Sequence, residues 1–511
     1  MIPVLDNAAM READRITIRE LGMPSMVLME RAAEAVSETV VDRFPEVGAV
    51  LIACGPGNNG GDGLAAARQL RCRGVAVEVA LLVEPGTLKG DAARQLALAR
   101  AYGVPVSECA GIGLETFSAM VTSCDVVVDA LFGTGLDRPL DGRWQTIVEV
   151  INAAGRPVVA VDVPSGLSGS SAAIPGPAIE ASVTVTFAAA KLAHALPPAC
   201  WSCGEVAVGE IGIPPWVIED QATLGMIEAA DVAGWLPRRA PDAHKGDFGH
   251  LLLVAGRLGR AGAAALGAKA AVRSGAGLVT VATAAGAVAP IQSQVPEAMV
   301  DPLPADAGGM VGGEGIEALL DKATALAVGP GLGVGDGPRQ LLDRILASWH
   351  GPLLLDADAL TLMSGQLERL RGRGAPTVLT PHPGELARLL GTTTPEVVAN
   401  RLAAAREAAS RSGATVLAKG ARTVIVEAEG RVFVNPTGGP GLAVGGSGDV
   451  LTGLVGGLLA QGLAGRAAAG AGSWLHGRAG ELAAERFPGA IPASVVVDHL
   501  AAAEAEAREA L

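Results

Sequence analysis

The sequence is poor in aromatic residues, because Tyr, Phe and Trp together make up only 3% of its 511 residues. Half of the residues are apolar and 69 are glycine, so the cores must be built from Ala, Val and Leu packed around glycine-rich turns. This composition favours layered α/β architecture. The length exceeds what one ordinary core accommodates and predicts two or three domains.

Cysteine and positive charge are also scarce. Six cysteines show no disulfide framework, and the N-terminus is acidic where a signal peptide would be basic, so we expect a cytoplasmic protein. Cys200 and Cys203 form a lone CxxC pair, which favours burial over metal binding. The net charge of -14 offers no general attraction for nucleic acid or an anionic membrane, and neither is expected as a partner.

Short β-branched runs recur along the chain with helical patterns between them, such as the one over 63–73. The runs form two series, 49–53, 76–82, 126–128 and 158–161, then 250–255, 278–281, 325–328, 353–355, 377–379 and 415–418. Strands that alternate with helices predict parallel, doubly wound sheets. The stretch 216–240, which ends in a Pro-flanked Arg pair, is interpreted as a connector. The predicted domains are residues 1–215 and 225–511.

Acidic residues and glycine turns follow three strands of the first series. The first strand is followed by CGPGNNGGDG, the third by a segment beginning at Asp129, and the fourth by Asp162-Val163-Pro164-Ser165-Gly166. Ligands of open α/β sheets bind at the carboxyl ends of strands. Each acidic residue alone could be a helix cap. Together they favour a binding or catalytic site.

A glycine loop closes the second series. Gly445-Gly446-Ser447-Gly448-Asp449 precedes an apolar run, so free N–H groups at a helix start could hold a phosphate beside one carboxylate. No Lys-Ser or Lys-Thr follows the glycines, which excludes a Walker P-loop. The loop predicts a phosphoryl-transfer site, with a plain helix cap by Ser447 or Asp449 as the alternative.

The strings GPGNNGGDG, DALFGTGL, DVPSG and TFAAAK make the first 215 residues resemble the NAD(P)H-hydrate epimerase family, which has a Rossmann-like sheet. The resemblance implies that Asp162 and Lys191 are acid and base. Asn59, Asp129 and Ser165 would hold K⁺, a hard cation suited to oxygen ligands. The implied substrate pocket consists of Asn58, Asn59, Gly60, Gly61, Asp62, Gly133, Thr134, Gly135, Leu136, Asp137, Arg138, Pro139 and Asp162.

The strings HKGDFGH, RSGAGLVTV, GPGLG, DADAL, TPHPGE and NPTGGPGLAVGGSGD resemble the NAD(P)H-hydrate dehydratase family, which has a ribokinase-like fold. Asp449 would be the catalytic base, with Mg²⁺ assisting and ADP as co-substrate. The implied substrate contacts are Ala263, Gly331, His382 and Asp449, and the implied nucleotide contacts are Lys419, Gly420, Ala421, Arg422, Thr423, Gly445, Gly446, Ser447 and Gly448. The chain departs from this family over 256–262, where a Ser and an aromatic residue are usual. His382 alone, between two prolines, would be a turn residue.

The two resemblances imply one function, the repair of hydrated NADH and NADPH. The first domain would interconvert the R and S hydrates, and the second would dehydrate the S form to NAD(P)H while ADP becomes AMP and phosphate. The expected fold class is α/β with two doubly wound domains, and a homo-oligomer is expected. Two alternatives remain: the second domain could be a ribokinase-like small-molecule kinase, and the first a non-catalytic Rossmann-like binding domain.

Overall fold

The computed structural model describes residues 1–111, 113–136, 138–430 and 432–511. Packing divides the chain into two compact units, Ile2–Leu224 and Gly225–Leu511, with Met1 grouped with the second. In the described part of the chain, no helix has the length and apolar character needed to cross a membrane.

Seven strands of the N-terminal unit form one parallel sheet. The strands described in this unit are β1 (Ile2–Leu5), β2 (Ala49–Cys54), β3 (Ala76–Leu81), β4 (Val106–Glu108), β5 (Val126–Ala130), β6 (Val158–Val161), β7 (Val183–Phe187), β8 (Ala190–Lys191) and β9 (Glu205–Gly209). Its helices are α1 (Asn7–Arg15), α2 (Ser25–Arg43), α3 (Asn58–Cys72), α4 (Gly90–Ala101), α5 (Leu114–Ser123), α6 (Gly142–Ala153), α7 (Leu192–Ala195) and α8 (Pro215–Gln221). The order of the sheet is β4-β3-β2-β5-β6-β7-β9, and β1 pairs separately with β8.

Both faces of this sheet are covered, as the continuous apolar strands require. Alternate residues of β2 point to opposite faces: Val50 and Ile52 join a core with α2, α3 and α4, whereas Leu51 and Ala53 join a core with α5 and α6. The sheet is therefore doubly wound.

The C-terminal unit repeats this plan with a longer sheet. Its strands are β10 (Leu224–Met226), β11 (His250–Val254), β12 (Leu278–Ala284), β13 (Met299–Leu303), β14 (Ala325–Val328), β15 (Leu353–Leu355), β16 (Thr377–Leu379), β17 (Thr415–Ala418), β18 (Val424–Val426) and β19 (Val432–Val434). Its helices are α9 (Ala229–Trp235), α10 (Ala261–Arg273), α11 (Val288–Gln292), α12 (Glu317–Leu320), α13 (Asp336–Ser348), α14 (Ala357–Leu362), α15 (Pro383–Leu390), α16 (Thr394–Ala399), α17 (Arg401–Ser412), α18 (Ser447–Ala460), α19 (Gly465–Ala484) and α20 (Ala493–Glu509). Neighbouring strands are parallel in the order β13-β12-β11-β14-β15-β16-β17, and β18 and β19 follow as antiparallel strands.

Helices α10 and α18 cross at two glycines. A Cβ atom built on Gly453 of α18 would lie only 1.8 Å from the carbonyl oxygen of Gly267 in α10. Only glycine at position 453 permits this backbone contact, which fixes the position of α18 against α10.

The structure confirms the predicted fold class, two doubly wound α/β domains. It corrects two local predictions. The stretch 216–240 is not a bare connector, because most of α8, the whole of β10 and α9 lie in it. The helix predicted over 63–73 begins earlier, at Asn58, so that the Asn-Asn-Gly-Gly-Asp segment forms its first turns instead of a preceding loop.

Candidate active sites

A cavity of about 490 Å³ opens at the carboxyl ends of β2 and β5 in the N-terminal unit. From β2 the sheet continues to β3 in one direction and to β5 in the other, so the cavity occupies the switch point where α/β proteins bind ligands. The predicted residues that line it are Asn58, Asn59, Asp62, Gly133, Thr134, Gly135, Leu136, Asp162 and Lys191.

Asp162 and Lys191 form a buried ion pair in this cavity. Lys191 Nζ lies 2.8 Å from Asp162 Oδ1 and also donates to Thr186 Oγ1 at 2.8 Å and to the carbonyl of Phe187 at 3.0 Å. Burial acts to raise the pKa of Asp162, but Lys191, with help from His194 and Thr186, outweighs burial and holds this pKa below its ordinary value. Asp162 is therefore ionised and able to accept a proton.

The backbone at Asp162 directs its second oxygen into the cavity. Its φ of 65° lies in the left-handed region, which Asp and Asn adopt more readily than other non-glycine residues. Oδ2 faces the N–H of Thr134 at 3.4 Å, and a Cβ on Gly133 would approach the same oxygen at 3.2 Å. Glycine at position 133 therefore leaves one face of the carboxylate open.

Asp14 and His194 belong to this site although no sequence pattern indicated them. Asp14, on α1, lines the cavity, and burial raises its pKa to about 6. Burial also raises the pKa of Asp62 well above its ordinary value, which favours its neutral, proton-donating form. His194 Nδ1 accepts the N–H of Lys191 at 3.0 Å, and burial lowers the pKa of His194 to about 3, so the ring is neutral.

Asp129 and Ser165, two of the three residues predicted to hold K⁺, are in direct contact. Asp129 accepts the Ser165 hydroxyl at 2.6 Å and its N–H at 2.8 Å, and burial nevertheless raises the pKa of Asp129 to about 6. Asn59 Oδ1 lies 2.8 Å from the position that a Cβ on Gly133 would take, and its Nδ2 is buried without a hydrogen-bond partner. The carboxylate, hydroxyl and amide oxygens match the ligands of a hard cation, whose charge would offset the burial of Asp129.

Some predicted pocket residues lie elsewhere. Gly60 and Gly61 are buried packing positions of α3, where a Cβ on Gly60 would come within 2.2 Å of the carbonyl oxygen of Gly55. Arg138 and Pro139 line a second cavity of about 210 Å³ together with Leu136. Asp137 lies outside the described residues.

In the C-terminal unit, Lys419 and Asp356 form an ion pair just beyond the ends of β17 and β15. Lys419 Nζ lies 2.8 Å from Asp356 Oδ1 and 3.8 Å from Glu385 Oε2, while Thr452 of α18 donates to Asp356 Oδ2 at 2.5 Å. Burial opposes the charge of Lys419, but Asp356 and Glu385 outweigh it and raise its pKa. Lys419 is therefore a fixed cation.

The predicted phosphate loop lies beside this cation. The loop ends at Gly446, whose φ is 91°, and α18 begins at Ser447. A Cβ on Gly448 would stand 3.5 Å from Lys419 Nζ. Asp449 lies in the first turn of α18, and burial together with the charges of Asp356 and Asp358 raises its pKa to about 6. A base near neutral pKa, free N–H groups and a cation thus meet at one helix N-terminus.

Two predicted substrate contacts also come together near the ends of β11 and β14, the switch point of this sheet. Gly331 has a φ of 64°, and a Cβ there would meet Ala263 Cβ at 3.2 Å. His382 caps α15, since its Nδ1 accepts the N–H of Gly384 at 3.0 Å. His382 Nε2 lies 3.3 Å from Glu385, the residue that faces Lys419.

The predicted nucleotide segment 419–423 is held by a residue that the sequence did not indicate. Arg401, at the start of α17, donates to the carbonyl oxygens of Ala421 and Arg422, the latter at 2.8 Å. Thr423 Oγ1 donates to the Gly420 carbonyl at 2.9 Å. These bonds fix the backbone of the segment.

Each unit thus places acidic and basic groups at the carboxyl ends of the strands of a doubly wound sheet, which defines a two-domain α/β enzyme. The family model described as YjeF-related protein N-terminus matches residues 25–193, and the model described as NAD(P)H-hydrate dehydratase matches residues 251–501. Its full-length relatives show that the chain belongs to the family of bifunctional NAD(P)H-hydrate repair enzymes. This membership confirms the resemblance inferred from the motifs.

The chain is 40% identical over 502 residues to the bifunctional NAD(P)H-hydrate repair enzyme Nnr of Moorella thermoacetica, covering 96% of this chain and 95% of that protein. The enzyme of the same description from Escherichia coli is 35% identical, with 93% and 89% covered. The solved structure of the ADP/ATP-dependent NAD(P)H-hydrate dehydratase from Bacillus subtilis is 31% identical, with a TM-score of 0.49, and covers 55% of this chain and 98% of that chain.

Proposed function

We propose that this chain repairs hydrated NADH and NADPH. The N-terminal unit interconverts the R and S hydrates, and the C-terminal unit dehydrates the S hydrate while ADP is converted to AMP and phosphate. The observation that carries the proposal is the position of Asp449 in the first turn of α18, beside Lys419 and the glycine loop. Membership of the repair-enzyme family supports both activities.

Epimerisation requires bonds at the hydroxyl-bearing carbon to break and re-form. Asp162, ionised and open to the cavity at Oδ2, would accept a proton from the hydrate. Lys191, whose ammonium faces Asp162 Oδ1, would donate a proton and compensate the charge that develops. The neutral, buried His194 holds the backbone of Lys191 in place.

Dehydration requires the added hydroxyl to become a good leaving group. Asp449 would take the hydroxyl proton as the oxygen attacks the terminal phosphate of ADP, whose charge is stabilised by the N–H groups of 446–448 and by Lys419. AMP departs first. The phosphate then leaves the ring, and the neighbouring carbon gives up a proton to the departing phosphate or to water, which restores the double bond of NAD(P)H.

Two bound ions fit this proposal. Asn59, Asp129 and Ser165 would hold K⁺, whose positive charge would compensate the buried Asp129 carboxylate. Among the residues that the structure describes, no group of three His, Cys, Asp or Glu side chains could hold a metal ion. Mg²⁺ would therefore be held mainly by the phosphates of ADP, with the carboxylate of Asp358 near Asp449 as a protein ligand, and it would neutralise charge during phosphoryl transfer.

The remaining expectations concern partners and location. The substrates are small molecules, namely the hydrates and ADP, and the net charge of -14 argues against nucleic acid. The sparse cysteines support a cytoplasmic location. A homo-oligomer is expected.

The test is to incubate the full chain with each hydrate epimer, with and without ADP, and to follow the absorbance of reduced nicotinamide and the release of phosphate. We expect recovery from S hydrate only with ADP, and recovery from R hydrate through the S form. A small-molecule kinase would instead leave a stable phosphorylated hydrate with no recovery of absorbance, which would refute the proposal for the C-terminal unit.

A further inference from the structure

Arg257 lies at the switch point of the C-terminal sheet, in the turn that follows β11. The turn is tied to the end of the neighbouring strand β14, because the N–H of Gly256 donates to the carbonyl of Pro330 at 2.8 Å. The N–H of Arg260 closes it by donating to the carbonyl of Arg257 at 2.8 Å. The backbone that carries Arg257 is therefore fixed.

The side chain of Arg257 reaches across to the glycine turn after β14. Its Nε lies 3.2 Å from the position that a Cβ on Gly333 would take. Gly331, two residues away in the same turn, is the predicted contact of the hydrated nicotinamide and lies against Ala263. The guanidinium of Arg257 is thus next to the expected substrate position.

The positive charge of Arg257 has no counter-charge. In the described part of the chain no carboxylate lies within ion-pair distance of it, its Nε is buried without a hydrogen-bond partner, and Nη1 makes one long bond to the carbonyl of Leu258 at 3.4 Å. A buried donor without an acceptor is costly and uncommon in folded proteins. Lys419 differs, since Asp356 and Glu385 compensate its charge.

We propose that Arg257 binds a phosphate group of the hydrated dinucleotide during dehydration, an inference that rests on the proposed function of this unit. The planar guanidinium matches the oxygens of a phosphate, which would satisfy Nε. In the dinucleotide the pyrophosphate is joined through one ribose to the nicotinamide, and the hydrate of NADPH carries a further 2′-phosphate. ADP is held elsewhere, at the N-terminus of α18.

The experiment uses the full chain with Arg257→Gln, which removes the charge but keeps the side chain as far as the position of Nε. At saturating ADP, we expect KM for the S hydrate to rise about 10- to 100-fold, the scale of losing a hydrogen bond to a charged group. Turnover and KM for ADP should change less than about threefold. Arg257→Lys keeps the charge but lacks the planar guanidinium, so its KM for the S hydrate should lie between those of the wild type and Arg257→Gln. Arg339→Gln is the matched control, because Arg339 is exposed on α13.

The two hydrates distinguish the two phosphate groups. An equal rise of KM for hydrated NADH and hydrated NADPH supports contact with the pyrophosphate, and a rise for hydrated NADPH alone supports contact with the 2′-phosphate. Unchanged KM for both, or a rise only in KM for ADP, overturns the proposal.

A second readout does not depend on dehydration. NADPH itself should bind the wild-type C-terminal site and bind Arg257→Gln more weakly, measured by calorimetry, while unchanged binding of ADP reports that the C-terminal unit of the variant is folded. If the wild type binds NADPH but dehydrates nothing, the proposed function fails. If the wild type dehydrates and Arg257→Gln binds NADPH equally well, the assignment of Arg257 fails.

Discussion

Asp356 joins Lys419 to helix α18, because one oxygen of its carboxylate lies 2.8 Å from Lys419 Nζ and the other accepts the hydroxyl of Thr452. The cation and the helix that carries the glycine loop are thus oriented by the same buried side chain. The charge beside the phosphate loop is stabilised chiefly by Asp356, at the end of β15.

Replacing Asp449 with Asn should lower dehydratase turnover by roughly 10²- to 10⁴-fold, since the variant lacks the general base. Epimerase activity should persist, because its groups lie in the other unit. Turnover can be measured from purified S hydrate and ADP. Asp336→Asn is the matched control, as Asp336 is an exposed acidic residue in the first turn of α13. Near wild-type turnover of Asp449→Asn would show that another group is the base.

Dehydration should decline as the pH falls through about 6, because burial raises the pKa of Asp449 to about 6 and only the ionised form can accept a proton. A carboxyl group whose pKa is higher in the folded chain than in the unfolded chain adds to the free energy of unfolding while it is protonated. This contribution is lost as pH rises through about 6 and Asp449 ionises. At pH above about 7, Asp449→Asn should unfold at a higher temperature than the wild type. A pH profile of turnover tests the first point, and a flat profile down to pH about 5 would contradict it. Calorimetry tests the second point, and an unchanged unfolding temperature of the variant would contradict it.

Asp162→Asn should abolish epimerisation and leave dehydration of the S hydrate unchanged. Asparagine is a better substitute than alanine, because φ at this position is 65° and Asn tolerates that conformation. The amide also keeps an oxygen near Lys191, which avoids leaving a buried ammonium without a partner. Both activities can be measured in one preparation. Equal loss of both would indicate misfolding, and normal epimerisation would exclude Asp162 from the mechanism.

A fragment of residues 1–224 should fold and epimerise the hydrates without nucleotide, because the two units have separate apolar cores. A fragment ending at residue 215 should be less stable. It lacks Val217 and Ile218 of α8, which are buried in the N-terminal core and contribute about 1.5–3 kcal/mol each. Urea unfolding of the two fragments compares them directly. An equally stable shorter fragment would show that α8 is dispensable.

ADP should support dehydration better than ATP. Backbone N–H groups and Lys419 could hold the terminal phosphate of either nucleotide, so this expectation rests on the resemblance of fused two-domain chains to ADP-dependent enzymes. Turnover should be measured with each nucleotide after contaminating ADP is removed from the ATP. Faster turnover with purified ATP would reverse the preference without affecting the repair function.

The sequence predicted the long buried strands well, because apolar β-branched runs between helical patterns determine them locally. It did not predict β1, β4, β7, β8, β9, β10, β13, β18 or β19. These strands have two to five residues and are defined by the neighbours they pair with more than by their own composition. The early start of α3 was missed for a similar reason. Gly60 and Gly61 weaken a helix locally, but close packing against Gly55, Met29 and Ala92 requires them there.

Of the candidate sites, the sequence indicated the residues that directly follow strands, such as Asp162 and Lys419, because parallel strands end at one edge of a sheet. It did not indicate Asp14, Arg401 or Arg257. Asp14 and Arg401 reach their sites from helices distant in sequence, and their roles depend on tertiary contacts. Arg257 follows a predicted strand, but its importance comes from the absence of a counter-charge, which only coordinates reveal.

The crossing of α10 and α18 means that Gly453, which would not touch the substrate, affects the position of Asp449. A single methyl group at position 453 would have to displace the carbonyl oxygen of Gly267. The displacement would move α18 away from α10, and with it the first turn that carries Asp449 and the N–H groups of the loop. The placement of the groups that would transfer the phosphoryl group therefore depends on the absence of a side chain at Gly453. This residue lies one helical turn beyond Asp449 and would contact no ligand.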